Sequence, residues 1–494
     1  MSIAKLDAHY KKLESLNHAQ SMLAVDEAVM MPEGGGEKRA EAMATLAGMA
    51  HDIASAPQVG EWIAAAKPES EEQRMALRES ERSYLNLTCL SSAFVQKQVE
   101  ARIRSEQRWR KLRPTGNWTD FLPLLENIVV LAREEAELRA DVLKCAPYDA
   151  LIEQYDPGSS AAVITPVFAE LKTFLKAFIP GALEAQASRR TQQPKNPFKG
   201  PFPVAHQKSL GEELMRAMGF DFNHGRLDVS HHAFCDGVPS DVRMTTRYNT
   251  NEFLSSLMGI LHETGHGLYE QGLPKQWNHW PVGRARGMAA HESQSLFTEM
   301  QMSRNPAFWE FALPIAQKHL PLEGWSVTDV LAHVQNMERG CIRVEADEVT
   351  YSLHVILRYE MEKDLIGGIL AVKDIPEVWD TKMREYLGLS TIDNPKDGPM
   401  QDVHWPSGAF GYFPSYTLGA LMAAQQWAAI ERLHPDVTDE IRMGNFTTVN
   451  EWRRKNIWEK ASFLSTPGLM HAATGEVLSA MPFMAHLGNR YGRH

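Results

Sequence analysis

His262-Glu263-Thr264-Gly265-His266 is an HExxH pentad, and its spacing has a geometric consequence. At about 100° per residue in an α-helix, positions four apart differ by only about 40°, so His262 and His266 leave one face and can share one ion. Glu263 lies about 60° from His266, beside that ion and unsuited to point straight at it. Its carboxylate is therefore placed to touch a water on the metal. Two imidazoles plus a carboxylate suit zinc with one position left open. The missing carboxylate is expected in His291-Glu292-Ser293. The surrounding stretch, 285–303, reads as helix, and Glu292 falls in its apolar register near Ala289 and Leu296. A carboxylate at such a position needs a partner, either a metal or a buried cation. His291 is the alternative ligand. Neighbouring helical residues point about 100° apart, so one of the two faces the site, and Glu292 is preferred.

A helix must carry the pentad. Asn249 is expected to cap it with Glu252 reaching back, and Gly272 to end it. Its apolar stripe is Leu254, Leu257, Met258, Leu261 and Leu268. The stretches 226–230 and 241–248 are rich in β-branched residues, with Gly237-Val238-Pro239 as turn residues between them. They predict a small antiparallel sheet next to the HExxH helix. Helical periodicity dominates elsewhere. Residues 70–113 hold good helix formers. Thr119 reads as the cap of a helix with Pro123 in its first turn and Leu124, Ile128 and Leu131 on one face. Ile164, Phe168, Leu171, Leu175 and Phe178 form another such stripe. Proline and glycine break the pattern at 193–203 and 394–414. The fold class is mainly α. The chain reads as a single unit over 1–494, with approximate sub-domains 1–192, helical, and 204–494, catalytic with the metal site.

The chain has 494 residues, 44% hydrophobic and 23% charged, which excludes disordered and fibrous classes. That length gives about three domain-sized units or one large fold. Lys plus Arg is 51 against Asp plus Glu at 62, a net charge of −11, so no basic face for nucleic acid stands out. Cys89, Cys145, Cys235 and Cys341 lie far apart with no CxxC pair, which suits a reducing cytosol. The N-terminus lacks the apolar core of a secretory signal, and no apolar run is long enough to span a membrane. A soluble, cytoplasmic protein is expected.

Several rarer motifs accompany the pentad. They are Met31-Pro-Glu-Gly-Gly-Gly36 with Arg39, Asp241-Val-Arg-Met-Thr245, Ile342-Arg-Val-Glu-Ala-Asp347, Gly398-Pro-Met-Gln-Asp-Val-His-Trp405 and Gly411-Tyr-Phe-Pro-Ser-Tyr416. Together with HExxH and His291-Glu-Ser293, in this order, they make the chain resemble the carboxypeptidase Taq family over almost its whole length. Two departures are visible. The family's HPF appears as His232-Ala-Phe234, and Val25 stands where tryptophan usually precedes the acidic residue, here Asp26. The resemblance implies a large helical metallopeptidase fold with a deep active-site groove, and a homodimer. It also implies zinc, with cobalt possible, and release of single C-terminal residues with broad preference.

On that basis Glu263 is expected to act as general base and then acid. Tyr412, and second His404, are expected to donate to the oxyanion. Arg343 is expected to bind the substrate carboxylate, with an ion pair to Asp347 as the alternative. Arg243 and Arg247 are weaker candidates that would otherwise brace the strand or pair with Asp241. His232 is expected to help hold the peptide, and strand 241–248 to take substrate as an added strand. An oligopeptidase of the same chemistry and a non-enzymatic scaffold with a structural metal are the competing readings.

Overall fold

The apolar stripes of the sequence become buried helix faces in the computed structural model, which describes residues 2–190, 200–231 and 233–492. In the helix Ala161–Arg190, Ile164, Phe168, Leu171 and Leu175 are at most 1% exposed. The stretch 70–113 forms two helices, Glu71–Thr88 and Ser92–Leu112, started by Ser70 and Ser91, whose hydroxyls accept from Gln73 N–H and Phe94 N–H. The helix Trp118–Leu143 is capped by Asn117 and not by Thr119. The Asn117 side-chain oxygen accepts from the Asp120 N–H at 3.1 Å. The expected break at 193–203 lies mostly outside the described residues, and 200–203 form no regular element. The expected break at 394–414 is a long run of turns that ends where the helix Pro414–Leu433 begins. One apolar cluster runs from Leu112 to Tyr491, across the boundary expected near 192–204. A smaller one gathers Leu6, Tyr10, Val59, Ala76, Trp280 and Val282. No described helix is long and apolar enough to cross a membrane.

The sheet has three strands, β1 (Gly225–Val229), β2 (Cys235–Val238) and β3 (Asp241–Thr246), in the order β1-β3-β2. Only the β2–β3 hairpin is antiparallel; β1 runs parallel to β3, Leu227 facing Met244. The expected turn residues Gly237 and Val238 belong to β2, and the chain reverses at 239–240. A four-residue strand containing glycine leaves little alternating pattern to read. The centre of the sheet is β3, and both its edges are taken. Substrate therefore cannot add to it, which overturns that expectation.

From β3 the chain enters the pentad helix, Leu254–Gly272. It starts five residues later than Asn249. Asn249 bridges to Glu252 in an isolated β-bridge, and the Glu252 carboxylate caps the helix by accepting from the Ser255 N–H at 3.0 Å. The helix Gly287–Leu296 follows and runs into a π-helical turn, Phe297–Met302.

Candidate metal centre

His262 and His266 project from one face of the pentad helix, their ring centroids 5.0 Å apart. Glu292 Oε2 lies 4.0 Å from His262 Nε2 and 3.5 Å from His266 Nε2. One ligand atom from each of the three lies within 4.8 Å of the others. The helix bearing Glu292 comes this close because of a residue inside the pentad. A Cβ on Gly265 would stand 2.2 Å from the Gln294 carbonyl oxygen and 2.7 Å from Ser295 Cα. Sequence reasoning used the two histidines and the glutamate of the pentad and passed over this glycine.

The other nitrogen of each imidazole is also placed. His262 Nδ1 lies 2.9 Å from Glu299 Oε2, and Arg304 donates to Glu299 Oε1 at 2.8 Å. His266 Nδ1 lies 2.6 Å from His291 Nδ1, and His291 Nε2 lies 2.8 Å from Glu270 Oε1. The carboxylates set the tautomers. Glu270 holds the proton on His291 Nε2, so His291 Nδ1 accepts from His266 Nδ1–H. Glu299 likewise accepts from His262 Nδ1–H. Both Nε2 lone pairs are then free on the Glu292 side, the arrangement a metal-ligating histidine needs. His291, the alternative ligand, thus meets His266. Glu299 and Glu270 were missed; the available signal was that Glu299, seven residues after Glu292, shares its helical face.

The electrostatics fit a cation. Burial disfavours a charge on His262, but the Glu299 hydrogen bond with Glu292 and Glu263 outweighs it, so the pocket favours positive charge at His262 Nε2, and a metal ion there takes the place of a proton. Burial also opposes the Glu299 charge, yet His262 and Arg304 bring that carboxyl down to about 2. Burial, then repulsion from Glu292 and Glu299, lifts Glu263 to about 7 against the pull of His262. Glu263 is only 6% exposed, and its Oε2 has no hydrogen-bond partner. An orphaned carboxylate oxygen beside two free imidazole nitrogens and a second carboxylate suits a divalent metal ion carrying a water.

Aromatic residues stand close by. Tyr412 Oη lies 3.6 Å from Met288 Sδ, one helical turn before Glu292. The Tyr412 and Tyr416 rings meet edge to face, their centroids 5.3 Å apart. His404 Nε2 lies 3.0 Å from Tyr416 Oη, and the His404 ring packs 4.3 Å from that of Phe413. Tyr416 thus stands between the two expected oxyanion donors, a place the sequence reading did not give it.

Arg343 is 5% exposed in a 3₁₀ turn, Arg343–Glu345, so the helical pairing with Asp347 does not form. Its Nε and Nη2 donate to Asp402 Oδ1 at 3.0 and 2.9 Å. Arg358 Nε donates to Asp402 Oδ2 at 2.7 Å. Asp347 instead accepts from the N–H groups of Glu338, Val349 and Thr350. Arg243 closes its fork on Asp241, which also meets His18 of the N-terminal helix at 3.4 Å. His232 lies outside the described residues.

A mainly helical fold with an HExxH helix, a glutamate from the following helix and carboxylate-braced histidines defines a metallopeptidase. Residues 5–491 match the model of the carboxypeptidase Taq (M32) metallopeptidases. The chain is 37% identical to thermostable carboxypeptidase 1 of Thermus thermophilus, over 95% of this chain and 94% of that protein. It is 30% identical to carboxypeptidase 1 of Bacillus subtilis, over 97% and 96%. Metallocarboxypeptidase 1 of Trypanosoma cruzi superposes with a TM-score of 0.97 at 37% identity, covering 100% of this chain and 99% of that one. The chain belongs to the carboxypeptidase Taq (M32) family. It is a metallocarboxypeptidase, a hydrolase of peptide bonds that works with a metal ion.

Proposed function

We propose that this enzyme releases single residues, with broad preference, from peptides with a free C-terminus, using zinc held by His262, His266 and Glu292 and Glu263 as general base. The orphaned Oε2 of Glu263, beside the two free Nε2 atoms and Glu292, carries the reading. When bound, the zinc ion, or cobalt in its place, supplies a Lewis acid for the scissile carbonyl and acidifies a water. Glu263 takes the proton from the attacking water and passes it to the leaving amine. The Tyr412 hydroxyl donates to the oxyanion, while His404 steadies Tyr416 beside it.

The C-terminal carboxylate is read by charge. Arg343 and Arg358 share one carboxylate, Asp402, so two positive charges face one negative and the cluster keeps a net positive charge. Burial and then Arg343 keep His404 neutral, with its pKa down at about 3. Arg343, nearer the aromatic wall with its guanidinium 4.8 Å over Tyr416, carries the attraction to substrate. We assign Arg243 to bracing the strand, and His232 to holding the peptide. The chain works as one unit, as a cytoplasmic homodimer.

The test is a time course of amino acids released from one free-ended peptide and its C-terminally amidated twin, with and without chelator. Sequential single residues from the free-ended peptide, little from its twin, and loss under chelation are expected. Equal cleavage of the amidated twin overturns the exopeptidase reading in favour of an oligopeptidase. Undiminished cleavage in chelator overturns the metal mechanism.

A further inference from the structure

Glu362 lies in the helix Tyr351–Ile366 and is fully buried, yet none of the residues ascribed a chemical role above touches it. Its three hydrogen-bond donors are all neutral. Trp405 Nε1 donates to Oε1 at 2.8 Å. The Gly411 N–H at 2.9 Å and the Tyr148 hydroxyl at 2.8 Å donate to Oε2. A buried carboxylate served only by neutral donors is costly to keep, and a well-packed apolar side chain would fill the space more cheaply. Its position in the chain gives it a use. Trp405 directly follows His404, and Gly411 directly precedes Tyr412.

Between these anchors the chain makes only turns, closed by Ala409 N–H to His404 O at 2.8 Å and Gly408 N–H to Trp405 O at 3.0 Å. No helix or strand ladder holds it. Gly411 has φ +86°, and a Cβ there would stand 2.7 Å from the Leu151 carbonyl carbon. Its backbone is therefore pressed between Glu362 and the helix Pro147–Ile152. Both ends of the turn hang on one carboxylate carried by a rigid helix.

We propose that Glu362 is a positioning residue for peptide hydrolysis: by gripping Trp405 and Gly411 it fixes the turn 405–411 and aims His404 and Tyr412 at the metal cleft. The inference rests on the reading of Tyr412 as oxyanion donor. The amide of Glu362→Gln offers an N–H where one of the donors must bond, so one end of the turn is released.

The experiment is a double-mutant cycle of Glu362→Gln and Tyr412→Phe in the full-length, metal-loaded enzyme. Glu362→Gln is expected to lower kcat on a free-ended peptide by about ten- to a hundredfold, with KM and metal content little changed. Affinity for a phosphonate peptide, which mimics the tetrahedral oxyanion, should fall by the same factor in calorimetry. The double variant should lose clearly less than the product of the two single losses. Trp405→Phe, which removes the Oε1 anchor together with part of the indole's packing against Trp379 and Phe410, should move kcat in the same direction. Tyr148→Phe, which removes a donor outside the turn, should leave it unchanged.

Multiplied losses in the double variant, or a lowered melting temperature with kcat and phosphonate affinity intact, overturn the proposal as merely structural. An unchanged kcat in Tyr412→Phe instead overturns the oxyanion reading. The same cycle run with His404→Ala then decides Glu362 by the same criterion.

Discussion

Glu263, buried, and Glu299, partly buried, are both carboxylates of the candidate metal centre, and their surroundings drive them in opposite directions. Glu263 has a free oxygen, few compensating charges and a pKa lifted to about 7. Glu299 is held near 2, after the cost of burial, by His262 and Arg304, so it stays ionised and keeps the proton on His262 Nδ1. Glu263→Gln is expected to retain the metal while kcat falls by about 10²- to 10⁴-fold, checked by metal analysis beside a peptide-release assay. Glu299→Gln should do the reverse at the level of binding. It should weaken metal affinity by about 10- to 100-fold, read by titration against a competing chelator. The pentad and Glu292 were legible because helical spacing alone brings two histidines together, and an apolar register singles out a carboxylate. The relay from Glu270 through His291 to His266 was not legible, because it depends on the distance between two helices.

That distance is an element-scale property, set where the pentad helix meets Gly287–Leu296 at Gly265. With Gln294 O only 2.2 Å from an added Cβ, Gly265→Ala must push backbone away from backbone. A loss of about 1–3 kcal/mol in unfolding free energy is expected from denaturant titration, with weaker metal retention as Glu292 recedes. Helices were readable wherever a stripe of apolar residues repeats. Their starts were less so. Asn117 and Glu252 cap where Thr119 and Asn249 were expected, since capping is decided by which side chain reaches a free N–H. The sheet was found from its β-branched strands, but the direction of β1 depends on the chain crossing to the far side of β3, which no local pattern encodes.

Across the whole molecule, two charge clusters tie distant segments. Glu348, fully buried, accepts from Arg490 and Tyr491 and meets His486, while Arg490 also donates to the Met300 carbonyl next to Glu299. Asp402 joins Arg343 to Arg358. Burial opposes both charges. Arg490 and His486 nevertheless hold Glu348 below its ordinary 4.5, and Arg358 and Arg343 hold Asp402 below 3.8. Because the folded values lie below the unfolded ones, this stabilisation is complete above pH about 5 and is lost as pH falls through the folded values. The melting temperature should therefore drop steeply below pH about 4. Glu348→Gln should cost about 3–5 kcal/mol at neutral pH by leaving Arg490 uncompensated, and should flatten the acid limb of the melting profile.

The sequence by itself determined the helical class and which side chains could meet a metal ion, His262, His266 and Glu292 with Glu263 beside them, because helical periodicity fixes which side chains share a face over one or two turns. It also brought Tyr412 and His404 into view through their motifs. Only the tertiary structure decided that Arg343 answers to Asp402 and not to Asp347, that His291 meets His266, and that Glu362 bonds both ends of the turn between His404 and Tyr412. Those pairings join residues 25 to 59 positions apart. At such separations the partner is chosen by how helices pack, and packing sums many weak contacts that no short stretch of sequence contains.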